Sequence, residues 1–115
     1  MIWYALLGLL CGILVGVFSP LTLPGAYTRY ISISLLACMD TVFGGFRANL
    51  EGNFDNLIFL TGFFVNALLA AFLVYLGDKI GVDFYLAALV AFGVRMFQNL
   101  AIIRRHMLRK FSKIR

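Results

Sequence analysis

Two ionisable side chains interrupt stretches that are otherwise apolar. Asp40 stands in the stretch Arg29–Phe46 and Arg95 in Phe84–Ile103, each as the one internal charge. A charge placed in hydrocarbon is so costly that it normally faces a bundle interior and finds a partner there. Asp40 is eleven residues from Arg29, and Arg95 is twelve from Asp83. If the two stretches cross a bilayer in the same direction, both charges lie ~16–18 Å deep at ~1.5 Å per residue. A third stretch, Leu57–Leu76, runs the opposite way and puts Asn66 eleven residues from Asp55, also near mid-membrane. The expected chemistry is an Asp40–Arg95 pair with Asn66 nearby. Arg95, Gln98 and Asn99 follow i, i+3, i+4 spacing and so share one helix face. Such a cluster is either a polar clamp that holds helix register or an ion, proton or substrate site, since transporters bind near the midplane. Opposite charges at equal depth neutralise one another, which favours the clamp.

A second polar set lies further along the same helix face. Arg29, Arg47 and Glu51 each fall within ~20° of Asp40's bearing on a 3.6-residue helix. Gly44 lies on this stripe, and Arg47–Glu51 is an i, i+4 ion-pair candidate. The second helix is therefore expected to carry a polar stripe out of the bilayer into the loop Gly45–Asp55. Arg47, Glu51 and Asp55 are the docking candidates there; the alternative is a solvated helix end. Glu51 and Asp55 are paired carboxylates, but without histidine or a phosphate-binding loop they make no active site. Cys11 and Cys38 lie in apolar stretches and read as small hydrophobes. There is no CxxC and no His/Cys cluster, so no metal is implied. No catalytic residue and no cofactor are expected, and the chain reads as a non-enzyme.

The elements that must position these residues follow from composition. Of 115 residues, 63% are hydrophobic and 13% charged, where a soluble domain is about 25% charged. A soluble domain of this size leaves about a third of its unfolded surface exposed, too much for a chain so apolar. That excludes a soluble enzyme, intrinsic disorder and a disulfide-stapled secreted module. The fold class expected is an all-α integral membrane bundle of four transmembrane helices. The spans are about Met1–Phe18, Arg29–Phe46, Leu57–Leu76 and Phe84–Ile103, in one membrane domain covering 1–115. The first is slightly short, ~27 Å against a ~30 Å hydrocarbon core. Ser19-Pro20 and Leu23-Pro24-Gly25 separate the first two helices, and Gly77-Asp78-Lys79-Ile80-Gly81 the last two. No positive n-region or small-x-small pattern marks the first span as a cleaved signal.

Orientation comes from the basic residues. Six of the ten Lys and Arg lie in the tail 104–115: Arg104, Arg105, Arg109, Lys110, Lys113 and Arg115. The positive-inside rule places that tail, and with four spans also the N-terminus, in the cytoplasm. Ile103, Met107, Phe111 and Ile114 form an apolar stripe along it, so the tail is expected to contact anionic lipids at the cytoplasmic face. Nucleic acid is not an expected partner, because no recognition fold stands behind these charges. Gly8, Gly12 and Gly16 repeat every four residues, and Gly62, Asn66, Ala70 and Gly77 form a similar stripe. Small residues at this spacing let helices approach closely in lipid. The spacing leaves open packing within the chain or against a second subunit; closure of four short helices on themselves favours the first.

The segments Asp40-Thr41-Val42-Phe43-Gly44-Gly45-Phe46-Arg47-Ala48-Asn49-Leu50-Glu51 and Phe92–Arg105 (FGVRMFQNLAIIRR), with Pro24-Gly25-Ala26-Tyr27 and Gly81–Ala88, resemble the bacterial small basic protein family. The likeness covers nearly the whole chain. It implies a multi-pass protein of the bacterial cytoplasmic membrane, mainly in Gram-positive bacteria, encoded near cell-division genes, and it supplies no reaction. The family's signature residues fall on Asp40, Arg47, Glu51, Arg95, Gln98 and Asn99. The function expected is a small scaffold or accessory subunit of envelope or division machinery, with a membrane-protein partner or as a homo-oligomer. The alternative is a small oligomeric transporter or channel using Asp40, Asn66 and Arg95.

Overall fold

The computed structural model describes residues 2–22 and 24–114, with side chains as far as Ser112. These residues form four helices and no strand: α1 Ile2–Phe18, α2 Gly25–Leu50, α3 Asn56–Ile80 and α4 Phe84–Ile114. Three of them, α2, α3 and α4, are long and apolar enough to cross a membrane. The apolar α1 has 17 residues and is the shortest. The bundle is elongated, 54 × 32 × 24 Å.

The second helix is the hub. It packs along α3 and α4, which also touch each other, while α1 leans on α2. Ile33 and Ala37 of α2, Ala70 and Val74 of α3, and Ala88 of α4 form one buried cluster. Three alanines at its centre let the backbones come close, which is how helices gain contact in lipid. A second cluster, Ile2, Val42 and Phe59, anchors the start of α1. There Trp3 meets Phe46 edge-on at 5.7 Å, and the Phe59 ring lies 5.4 Å from Phe54 and 6.3 Å from Phe63. Gly45 makes room for this cluster: a Cβ on it would lie 2.6 Å from the Phe59 ring.

Element ends differ from the expected spans at three places. The second helix starts at Gly25, directly after Pro24, and runs on to Leu50. The expected loop Gly45–Asp55 is thus mostly helix, because nothing between Ala26 and Leu50 breaks the backbone ladder. The third helix continues through Gly77 to Ile80. Gly81, at φ 79°, is the residue that stops it, by adopting the left-handed conformation that glycine tolerates. The tail is not a separate segment but the continuation of α4, and shares the axis of the apolar stretch that precedes it.

The expected close packing of the α1 glycines within the chain is not made. A Cβ on Gly8, Gly12 or Gly16 meets nothing within 4 Å among the described residues, and Gly62 is equally open. The stripe lines an apolar groove of about 750 Å³, with Leu35 and Cys38 of α2 and Phe59, Leu60, Phe63 and Phe64 of α3 on its far wall. Large aromatic side chains on α3 hold the two walls apart where a second small-residue surface would have let them close.

Candidate functional site

The polar residues singled out by spacing gather between α2 and α4. Asp40 is fully buried, and Arg95 Nη2 stands 3.5 Å from its Oδ2. Matched depth on two helices that run the same way is what brings them together. Asn66 reaches the neighbourhood from α3, but its Nδ2 donates to Thr41 Oγ1 at 3.3 Å instead of to Asp40. Thr41 in turn donates to the Ala37 carbonyl. The threonine is a member of the cluster that spacing did not single out; its position next to Asp40 was the available signal.

About two turns nearer the tail, at ~3.6 residues per turn, Arg47 ties three residues together. Its Nε donates to Glu51 Oε1 at 3.1 Å, and its Nη1 donates to Asn99 Oδ1 at 3.1 Å. The first bond lies along α2 and the second crosses to α4. Asn99 is almost fully buried, so the charge-assisted bond supplies a partner that a buried amide requires. A cleft of about 360 Å³ lies over these groups, lined by Gly44, Arg47, Ala48, Glu51, Arg95, Gln98 and Asn99. Its lining is mainly polar, and Arg95 is 60% exposed in it. Gly44 lies against Asn99: a Cβ there would make ordinary van der Waals contact with its amide nitrogen at 3.5 Å.

Asp55 is not part of this surface. Its Oδ1 accepts the amide hydrogens of Leu57 and Ile58 at 2.9 and 3.1 Å, which caps the start of α3. Arg104, Arg105, Arg109 and Lys110 are exposed along the outer turns of α4, and Met107, Leu108 and Phe111 are exposed among them. The tail residues Lys113 and Arg115, like Met1, lie outside the residues whose side chains are described.

At the opposite end of the bundle sits a cluster that spacing alone missed. Arg29 Nη1 pairs with Asp78 Oδ1 at 2.9 Å and its Nη2 lies 4.0 Å from Asp83. Tyr30 donates to the other Asp78 oxygen at 3.2 Å, and the Arg29 guanidinium stacks 5.1 Å from the Tyr85 ring centre. This clasp joins α2 to the α3–α4 turn. The signal for it was the topology itself, which puts Arg29 and both aspartates at the same end of the bundle. No group of three potential metal-ligating side chains occurs among the described residues.

Residues 23–108 match the family described as protein of unknown function DUF1290. The chain is similar to the small basic protein of Bacillus subtilis (strain 168), with 49% identity over 110 residues that span 96% of this chain and 91% of that protein. It is also similar to uncharacterized proteins of Mycobacterium tuberculosis and Mycobacterium bovis, each 43% identical over 99 residues, 84% of this chain and 81% of theirs. No solved structure matches the chain.

Proposed function

The chain belongs to the small basic protein family (DUF1290), and from that premise we propose that it is a non-enzymatic multi-pass membrane protein that docks a second membrane protein in the α2–α4 cleft. All four helices cross the bilayer in this reading, α1 with a short span, and both termini face the cytoplasm. The basic turns of α4 lie at the cytoplasmic surface, where each Lys or Arg contributes about 1 kcal/mol toward anionic lipid. The protein then works as a scaffold or accessory subunit of envelope or division machinery in the bacterial cell membrane.

The observation that carries this reading is the cleft itself. It gathers two guanidinium groups, one carboxylate and two amides in one lining. A lone bundle in lipid has no reason to leave the Arg95 side chain 60% exposed beside Gln98 within the fourth span, since an outward-facing charge there costs solvation in hydrocarbon. A partner helix with matching polar side chains satisfies them. The groups are those of a recognition surface, because a nucleophile–base pair is missing from the cleft lining.

Photo-crosslinking in native membranes tests the proposal. A photoreactive residue at Gln98 should join one defined membrane protein, and the same residue at Phe72, on an exposed apolar face of α3, should not. Equal yields at the two positions, or lipid adducts alone at both, would overturn it. Labelling of Asn53→Cys and Ser112→Cys from the cytoplasmic side tests the orientation.

A further inference from the structure

Asp40 is 1% exposed, yet neither of its carboxylate oxygens accepts a hydrogen bond among the described residues. Its one charged neighbour, Arg95, approaches to 3.5 Å with a side chain that remains 60% exposed. The carboxylate has therefore given up water for a single long contact from a cation that sits mostly outside. A buried carboxyl group is held either by several donors or by a proton, and here the donors are few.

The cavity beside it decides where a proton would come from. About 180 Å³ of space is lined by Asp40, Thr41, Asn66 and Arg95 at its inner end, and by Asn53, Phe54 and Asp55 of the α2–α3 turn at its outer end. That is room for several water molecules at ~30 Å³ each, along the ~12 Å that eight helical residues span between Asp40 and Ala48, the last α2 residue of the lining. In the other direction the route is dry. Ile33, Ala37, Ala70, Val74 and Ala88, none more than 6% exposed, fill the space between Asp40 and the Arg29–Asp78 clasp. The charged groups facing the cavity are Arg95 from α4 and the capping Asp55 ahead of α3. From Asp40's own helix, Arg47 and Glu51 line the adjoining cleft, which shares Gly44, Ala48 and Arg95 with the cavity. The first helix carries no charged residue.

We propose that Asp40 is a proton-exchange site open to the tail-bearing side of the bundle alone, and that proton uptake releases Arg95 into the α2–α4 cleft. The proton arrives from water on that side and bonds to one carboxylate oxygen; Arg95 keeps its own charge and loses its counter-ion. The proton leaves by the same route, so a cycle moves no net charge across the membrane. Arg95 lines both spaces and is the moving part. The assignment stands on the cavity and the buried carboxyl, whether or not the cleft receives a partner.

Two measurements on the full-length protein test it. In lipid nanodiscs, infrared difference spectra between acidic and alkaline pH should contain a carboxylic-acid carbonyl band that is lost in Asp40→Asn, with helix content unchanged by circular dichroism. In membrane vesicles of known sidedness, dicyclohexylcarbodiimide modifies protonated carboxyl groups in apolar surroundings, and peptide mass spectrometry locates the adduct. The adduct on Asp40 should fall at least tenfold as pH rises on the tail-bearing side and stay constant when only the other side is changed. Arg95→Gln should raise its yield severalfold. A spectrum in which Asp40→Asn removes no titrating band overturns the proton site. An adduct that follows the pH of the other side, or of neither, overturns the one-sided access.

Discussion

Gly77 lies inside α3, and the chain folds back onto it. A Cβ at that position would stand 2.5 Å from the Val82 carbonyl oxygen, 3.0 Å from Phe84 Cβ and 3.2 Å from Phe84 Cδ2. The nearest of these is backbone, so no rotamer change relieves it. That turn is pinned by the Gly81 and Val82 amides, which donate to the Gly77 carbonyl at 2.8 and 3.0 Å. Gly77→Ala must therefore displace the turn. Overpacking of this kind costs about 1–3 kcal/mol, and each turn hydrogen bond lost adds about 1 kcal/mol. Alanine's better helix propensity returns about 1 kcal/mol, leaving a net destabilisation of about 1–4 kcal/mol. Gly12→Ala supplies the contrast. Its added methyl meets nothing within 4 Å among the described residues, so its effect should lie between zero and about 1 kcal/mol of stabilisation. Reversible unfolding in mixed micelles, followed by circular dichroism as denaturing detergent is raised, measures both. A Gly77→Ala protein as stable as the parent, or a Gly12→Ala protein that loses more than Gly77→Ala, would refute the reasoning.

The same assay separates the two members of the Asp40–Arg95 pair. Asp40→Asn removes a buried charge at constant shape and should change stability by less than about 1 kcal/mol, whereas Arg95→Gln, measured at alkaline pH, leaves that charge unpaired and should cost about 1–3 kcal/mol. Asp55→Ala removes the acceptor of the Leu57 and Ile58 amides and should cost about 1 kcal/mol, read as lower stability and earlier fraying of α3 in hydrogen exchange. Asp78→Ala breaks the clasp to Arg29 and Tyr30; both partners are partly exposed, so the loss should be under about 1 kcal/mol and should vanish in high salt.

Depth along each helix was legible in the residues because the rise per residue is constant. Counting from helix ends places Asp40 and Arg95 at one level, and the structure puts them 3.5 Å apart. The i, i+4 relation of Arg47 and Glu51 was legible for the same reason, and the two are bonded at 3.1 Å. Rotation about the helix axis was not legible. Asn66 lies at the right depth, yet turns its amide to Thr41. Arg47 reaches across to Asn99, a bond that requires α2 and α4 to face each other along one line. The α1 glycines face a groove, although their spacing suits a close helix contact.

Composition and the placement of charge determined an all-helical chain with helices apolar enough to cross a membrane, and at what level along them the internal charges lie. Those properties belong to a single helix and follow from its length, its proline and glycine stops, and its rise. Only the tertiary structure decided which faces meet: the clasp at Arg29, the cleft between α2 and α4, the cavity beside Asp40 and the open glycine groove. In water, an apolar stripe marks the face a helix buries. In lipid, inside and outside are equally apolar, so that mark is erased, and packing of small against large side chains chooses the rotation.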